Sequence, residues 1–110
     1  MVERHLQLDS LFHALADSTR RDILARVSQM ECSITELAKP YALTFAAISK
    51  HISVLERANL VQKKRRGKAQ IISMTPQTIK VAEEHIARYT RAWNERFEKL
   101  EQLLMETPPE

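Results

Sequence analysis

The chain has 110 residues, with 17 Lys and Arg against 14 Asp and Glu, a formal net charge of +3, one cysteine and one glycine. That length fits one domain with a modest core, the lone Cys32 excludes an intramolecular disulfide framework, and the scarcity of glycine favours long helices over tight turns. No apolar run approaches the roughly 18 residues needed to span a bilayer, and Met1 to Ser10 (MVERHLQLDS) lacks the apolar centre of a secretory signal. The expectation is a single domain over residues 1–110 in a reducing cytoplasm, with no membrane partner.

Leu8, Leu11, Phe12 and Leu15 stand at i, i+3, i+4 and i+7, the stripe of a first amphipathic helix. Asp17-Ser18 interrupts and can cap a second helix, with Ile23, Leu24 and Val27 facing inward. Ser33 to Glu36 (SITE) has the capping-box form. It opens a short helix carrying Leu37 and Ala38, which Pro40 closes. Thr44 reads as the next N-cap, and Ile48, Ile52 and Leu55 as the buried stripe of the helix behind it.

After a break at Ala58-Asn59, Leu60 to Arg66 and Ala69 to Thr75 read as two strands turning at Arg66-Gly67-Lys68. Ile72 and Met74 alternate with polar neighbours, as one buried face requires. Pro76 suits the first turn of a last helix over about residues 76–105. Along it Ile79, Ile86, Trp93 and Leu100 recur every seven residues, flanked by Tyr89, Phe97, Leu103 and Leu104. Pro108-Pro109 reads as a frayed tail. The fold class expected is mainly α with a small β-hairpin wing.

Two short helices with a tight connection, the second exposing small residues at its start, describe a helix-turn-helix. Such a second helix offers its N-terminal residues to base edges in the major groove. Phe45, Ala46, Ser49, Lys50 and Ser53 lie away from the buried stripe and form the presented face behind Thr44. Ala46 and Ala47 allow close approach, and Ala or Phe can pack on a thymine methyl. Ser49 can donate to a base or phosphate, Lys50 meets a phosphate, and His51 is either structural or a phosphate contact. Beside this helix, Lys63, Lys64, Arg65, Arg66 and Lys68 put five cations into six residues without a carboxylate among them. A basic wing of this kind grips the flanking backbone or enters the narrow minor groove, and a clustered basic patch is the footprint of a polyanion binder. Double-stranded DNA is the partner expected.

Leu11 to Leu24 (LFHALADSTRRDIL), Glu36 to Val61 (ELAKPYALTFAAISKHISVLERANLV) and Arg66 to Met74 (RGKAQIISM) resemble the ArsR family of bacterial winged helix-turn-helix repressors. The resemblance is close from about Leu8 to Thr75 and looser over the last helix. It implies a homodimer built from the first and last helices that represses transcription at an operator near its own promoter. Leu8, Leu11, Ile79, Ile86, Tyr89, Trp93, Phe97, Leu100 and Leu104 are the interface residues expected. The seven-residue recurrence independently favours a partner helix.

The family's arsenic and cadmium sensors carry a Cys-x-Cys pair in the helix before recognition. Aligned through Glu31 to Leu37 (ECSITEL), those positions hold Ser33 and Thr35, and Cys32 falls one place early. A soft-metal site needs several thiolates. The ligands of the family's zinc sensors fall at Pro76, Thr78, Tyr89 and Ala92. His5, His13, His51 and His85 repeat no metal-ligand spacing. The resemblance is therefore to a branch without the metal-sensing motifs, and no metal or cofactor is expected. His85 reads as solvated and Cys32 as a quiet packed thiol.

An enzyme is not expected: there is no Gly-rich phosphate loop and no nucleophile–base constellation. Ser49 and His51, two apart on a helix, do not face each other. Two rival functions stay open from sequence. One is a winged-helix interaction module whose basic wing docks an acidic partner. The other is a repressor that responds to a small organic effector, whose identity the residues do not disclose.

Overall fold

In the computed structural model, which describes residues 2–106 and their side chains from Gln7 on, the chain runs through helix α1 (Val2–Leu15), α2 (Ser18–Gln29), strand β1 (Cys32–Ser33), α3 (Ile34–Ala38), α4 (Phe45–Arg57), β2 (Val61–Arg66), β3 (Ala69–Met74) and α5 (Pro76–Glu106). The expected Pro108-Pro109 tail and the side chain of His5 lie outside the described residues. The chain forms two compact units, one ending at Ile79 and one beginning at Lys80.

Helix starts follow the short-range chemistry of the sequence. Asp17 Oδ2 accepts from the Arg20 N–H at 3.0 Å and starts α2. At α3 the capping box closes both ways, Ser33 Oγ accepting from the Glu36 N–H and Glu36 Oε1 from the Ser33 N–H, each at 3.1 Å. Thr44 Oγ1 accepts from the Ala47 N–H at 3.1 Å and starts α4. Each such bond satisfies one of the backbone donors that a helix start leaves unpaired.

The end of α4 is equally local. Asn59 takes a φ of 59°, in the left-handed region that asparagine tolerates better than most residues. Its N–H donates to Glu56 O and the Leu60 N–H to Leu55 O, both at 3.0 Å, the paired bonds of a Schellman motif. The chain thereby turns straight into β2. There Gly67 and Lys68 make a two-residue turn, with Arg66 opposite Ala69. Gly67 has a φ of 64° and Lys68 has no positive φ, the pattern of a type II′ hairpin turn.

The sheet has three strands, in the order β1-β3-β2, where the sequence reading anticipates two. β1 is two residues long and pairs antiparallel to β3, Cys32 opposite Ile72 and Ser33 opposite Ile71. So short a segment carries no periodicity of its own and exists through its partner strand. β2 begins one residue later than anticipated and β3 ends one earlier, although the Thr75 N–H still donates to Leu60 O at 2.9 Å.

The core of the first unit is made by Ile23, Leu37, Ile48, Ile52, Leu55, Leu60 and Ile72, all fully buried. α4 is central to it and packs against α1, α2, α3 and β2. Each such side chain contributes roughly 1.5–3 kcal/mol relative to exposure. The second unit consists of the greater part of α5, where Trp93 and Phe97 meet edge to face with ring centroids 5.1 Å apart. No helix among the described residues is long and apolar enough to cross a membrane.

Candidate nucleic-acid interface

Burying Ile48, Ile52 and Leu55 fixes the rotation of α4 and turns its other side outward. On that side Thr44, Phe45, Ala46 and Lys50 are exposed, while Ala47, Ser49, His51 and Ser53 are half-buried. Phe45, at the first position of the helix, is 57% exposed. Thr44 uses one lone pair of its hydroxyl oxygen on the cap, and its O–H remains able to donate to an incoming ligand.

His51 is held from behind by residues far away in sequence. Arg20 Nη1 donates to His51 Nδ1 at 3.3 Å, while Arg20 Nε donates to Ala14 O at 2.8 Å and Nη2 to His13 O at 3.0 Å. A guanidinium has donors only, so in the neutral ring His51 Nδ1 is the acceptor and the proton sits on Nε2. One arginine thus caps the end of α1 and ties it to α4, with Arg21 Nη1 adding a bond to Leu15 O at 2.8 Å. Asp17 Oδ2 lies 3.8 Å from the same His51 nitrogen. The N–H of Arg20 foremost, with the charge of Arg20 and that of His51 when its ring is protonated, holds the Asp17 carboxyl below the usual aspartate range against the opposing effect of burial.

The turn between α3 and α4 is fixed from α2. Arg26 donates to Leu37 O at 2.9 Å and Glu36 O at 3.1 Å, and its guanidinium lies over the Tyr41 ring, 5.7 Å from the centroid. The Tyr41 hydroxyl donates to Asp22. Burial, then that hydrogen bond, raise the Tyr41 phenol above its ordinary value. These links set the angle at which α4 leaves the turn. The sequence reading missed both arginines, whose partners are backbone carbonyls and rings with no signature in the local pattern.

The wing is less uniformly free than the sequence reading holds. Lys63, Lys64, Arg65, Arg66 and Lys68 are all exposed, but two of the five have carboxylates brought to them by the fold. Lys63 Nζ lies 3.9 Å from Glu56 Oε1 of α4, and Arg66 Nη2 lies 3.8 Å from Glu31 Oε1. The expectation of a hairpin without compensating carboxylate is thereby corrected: one acid comes from the end of α4 and the other from far earlier in the chain, just before β1. Exposed pairs of this length contribute about 0–1 kcal/mol and exchange readily for another anion. Arg65 Nε donates to Gly67 O at 3.3 Å, bracing the turn.

Strand alternation divides the cations further. Lys63 is opposite Ile72 and Arg65 opposite Gln70 on one face, while Lys64 is opposite Ile71 and Arg66 opposite Ala69 on the other. A run that reads as one block of charge is two pairs facing opposite ways, with Lys68 at the tip. Near that tip, Lys68, Ala69 and Gln70 form one wall of an open cleft whose other walls are Ser33, Ile34, Thr35 and Phe45. The cleft joins the wing to the leading end of α4.

The residues expected at a dimer interface divide between the two units. Leu11 is 2% exposed and already covered by its own chain, and Leu8 and Ile79 are half-buried. Ile86, Tyr89, Trp93, Phe97, Leu100 and Leu104 are all exposed along α5. His85, read as solvated, is half-buried beside this stripe, where the Tyr89 hydroxyl lies 3.2 Å from its Nε2. Cys32 is half-buried, its thiol donating to Met30 O at 3.2 Å. Among the described residues no three His, Cys, Asp or Glu side chains converge as a metal site would require.

Comparison with known proteins gives the arrangement its family. Residues 17–63, from the cap of α2 into the wing, match the model of the bacterial regulatory protein family arsR. The uncharacterized HTH-type transcriptional regulator YuzN of Bacillus subtilis (strain 168) is 40% identical over 79 residues, covering 66% of this chain and 86% of its own. The crystal structure of the ArsR family transcriptional regulator RHA00566 superposes with a TM-score of 0.74 at 31% identity, over 80% of this chain and 91% of that one. The homodimeric winged helix-turn-helix DNA-binding domain of Mb0332 from Mycobacterium bovis shares the fold, with a TM-score of 0.68 at 20% identity over 79% of this chain and 82% of that one. These relatives are transcription regulators and not enzymes, and the chain belongs to the ArsR family of winged helix-turn-helix DNA-binding regulators.

Proposed function

We propose that the protein is a repressor that binds an inverted-repeat operator as a homodimer and does so without sensing a metal. The observation that carries the reading is the exposed start of α4 lying across one cleft from the basic wing. In this reading Phe45, Ala46, Ala47 and Ser49 face base edges. Thr44, Lys50, His51 and Ser53 meet the backbone that flanks them. His51, with its proton on Nε2, donates to a phosphate while Arg20 holds the other ring nitrogen. Lys63, Lys64, Arg65, Arg66 and Lys68 neutralise phosphates or enter the minor groove.

Dimerisation through α5 is supported by the exposed stripe from Ile86 to Leu104, and by the homodimer described for the Mb0332 domain. Two copies related by a two-fold axis present two α4 helices, so the operator is an inverted repeat with half-site centres about one helical turn apart. A dimer seated on such a site at a promoter excludes polymerase. Ser33 and Thr35 stand where family members hold soft-metal thiolates, and Pro76, Thr78, Tyr89 and Ala92 stand where others hold harder ligands.

Selection of bound duplexes from random DNA, followed by footprinting, tests the reading. The expected result is one inverted-repeat motif, protected on both half-sites. Enrichment of no motif, with retention on acidic polypeptide instead, would favour an interaction module.

A further inference from the structure

The recognition surface has an unusual chemical bias. Of its leading residues, Phe45 and Ala46 are apolar and exposed, and the Thr44 hydroxyl oxygen already accepts from the Ala47 N–H. No Arg, Asn or Gln occurs between Thr44 and Glu56, so the side chains that read guanine or adenine by paired hydrogen bonds are absent apart from Lys50. What Phe45 and Ala46 offer to a major groove is hydrocarbon. Thymine is the one base that offers hydrocarbon in return, through its 5-methyl group.

Phe45 is placed to use it. Its ring is more than half exposed, and it lines the same cleft as Lys68 and Gln70 of the wing. The apolar group is therefore continuous with the cationic surface that attracts the duplex, which separates it from an isolated exposed phenylalanine. Leu43, two residues earlier, is exposed as well, so the apolar character extends ahead of the helix.

We infer that Phe45, with Ala46 beside it, reads the 5-methyl group of a thymine in each half-site. This rests on the assignment of α4 as the reading helix and adds to it the chemistry that is read. Uracil in place of that thymine removes the methyl and leaves every Watson–Crick hydrogen bond intact. Taking away one methyl that the protein shields from water weakens binding about fourfold for each half-site changed. 5-Methylcytosine at the same position keeps the methyl, and so binds more tightly than cytosine does there.

The test uses the full chain and duplexes selected by the wild type from a random pool, each thymine replaced in turn by uracil. Wild type, Phe45→Ala and Phe45→Leu are compared, with circular dichroism confirming that all three fold alike. The proposal expects the wild type and Phe45→Leu to lose about fourfold at one position of each half-site, and Phe45→Ala to lose nothing there. It is overturned if the wild type binds uracil and thymine duplexes equally, if the selected half-sites lack thymine, or if Phe45→Ala keeps full sensitivity. Each of those results leaves DNA binding by α4 standing. Failure to retain any duplex overturns the assignment of the helix itself and this inference with it.

Discussion

Up to Ile79 the chain covers most of its large apolar residues, Met30 and Phe45 being the chief exceptions, whereas beyond Lys80 it leaves its large apolar residues in water. Ile23, Ile48, Leu55 and Ile72 are fully buried, yet Tyr89 is 65% and Trp93 59% exposed on a helix with the same amphipathic rhythm. Both regions repeat apolar residues at helical spacing, so the difference lies in what each has to pack against. The first unit brings three helices and a sheet around α4. The second is one helix, and a lone helix has nothing to close its stripe against. We therefore treat the first unit as the reader and the second as a surface that asks for a second copy.

Two substitutions break that comparison most sharply. Leu55→Ala empties a fully buried position and should cost about 2–5 kcal/mol of unfolding free energy at any protein concentration, read by denaturant titration. Trp93→Ala should act through association. Truncating an aromatic at the centre of an interface costs about 2 kcal/mol or more, or roughly thirtyfold in dimer affinity, read by sedimentation across a concentration series. A wild type that sediments as a clean monomer at micromolar concentration contradicts the α5 dimer.

A smaller effect sharpens the picture within the first unit. Asp17→Ala removes the α2 cap and should cost about 1 kcal/mol, while Asp17→Asn should keep the cap. The Asp17 carboxyl titrates below its ordinary value of 3.8 when folded, so its contribution is complete above that value. It is lost as pH falls through the lowered folded value. Acid titration of stability should therefore be shallower at its low end in Asp17→Asn than in the wild type. The smallest expected effect is none: zinc, cadmium or arsenite added to a protein–operator complex should leave affinity unchanged. Stoichiometric release abolished by Cys32→Ser would show that the lone thiol does more than pack.

How far the sequence could be read follows the range of the interactions. The caps at Asp17, Ser33 and Thr44 span three residues each, so their residue types announce them. Asn59 and Gly67 likewise mark the chain reversals at which they stand. The bond from Arg20 to His51 spans 31 residues, and no local pattern foretells it. The pairing of Glu31 with Arg66 is hidden for the same reason, while that of Glu56 with Lys63 needs the chain reversal at Asn59 to bring the two together, and both change how much of the wing is free. Leu11 shows a different limit: its place in the stripe of α1 fixes that it is covered, and not by which chain.

The most direct test of the DNA-reading account is a salt titration of binding to operator and scrambled duplexes, with wing and α4 variants side by side. The wing variants remove Lys63 with Arg65, or Lys64 with Arg66, the two faces of the hairpin. Each phosphate left without its cation should lower the slope of log affinity against log salt by about 0.9, on operator and scrambled DNA alike. Variants at Phe45, Ala46 or Ser49 should keep that slope and lose roughly 1–3 kcal/mol of discrimination per affected base pair. If the wing variants keep full affinity and slope while the helix variants keep full discrimination, α4 and the wing do not read DNA, and a docking surface for an acidic partner becomes the better account.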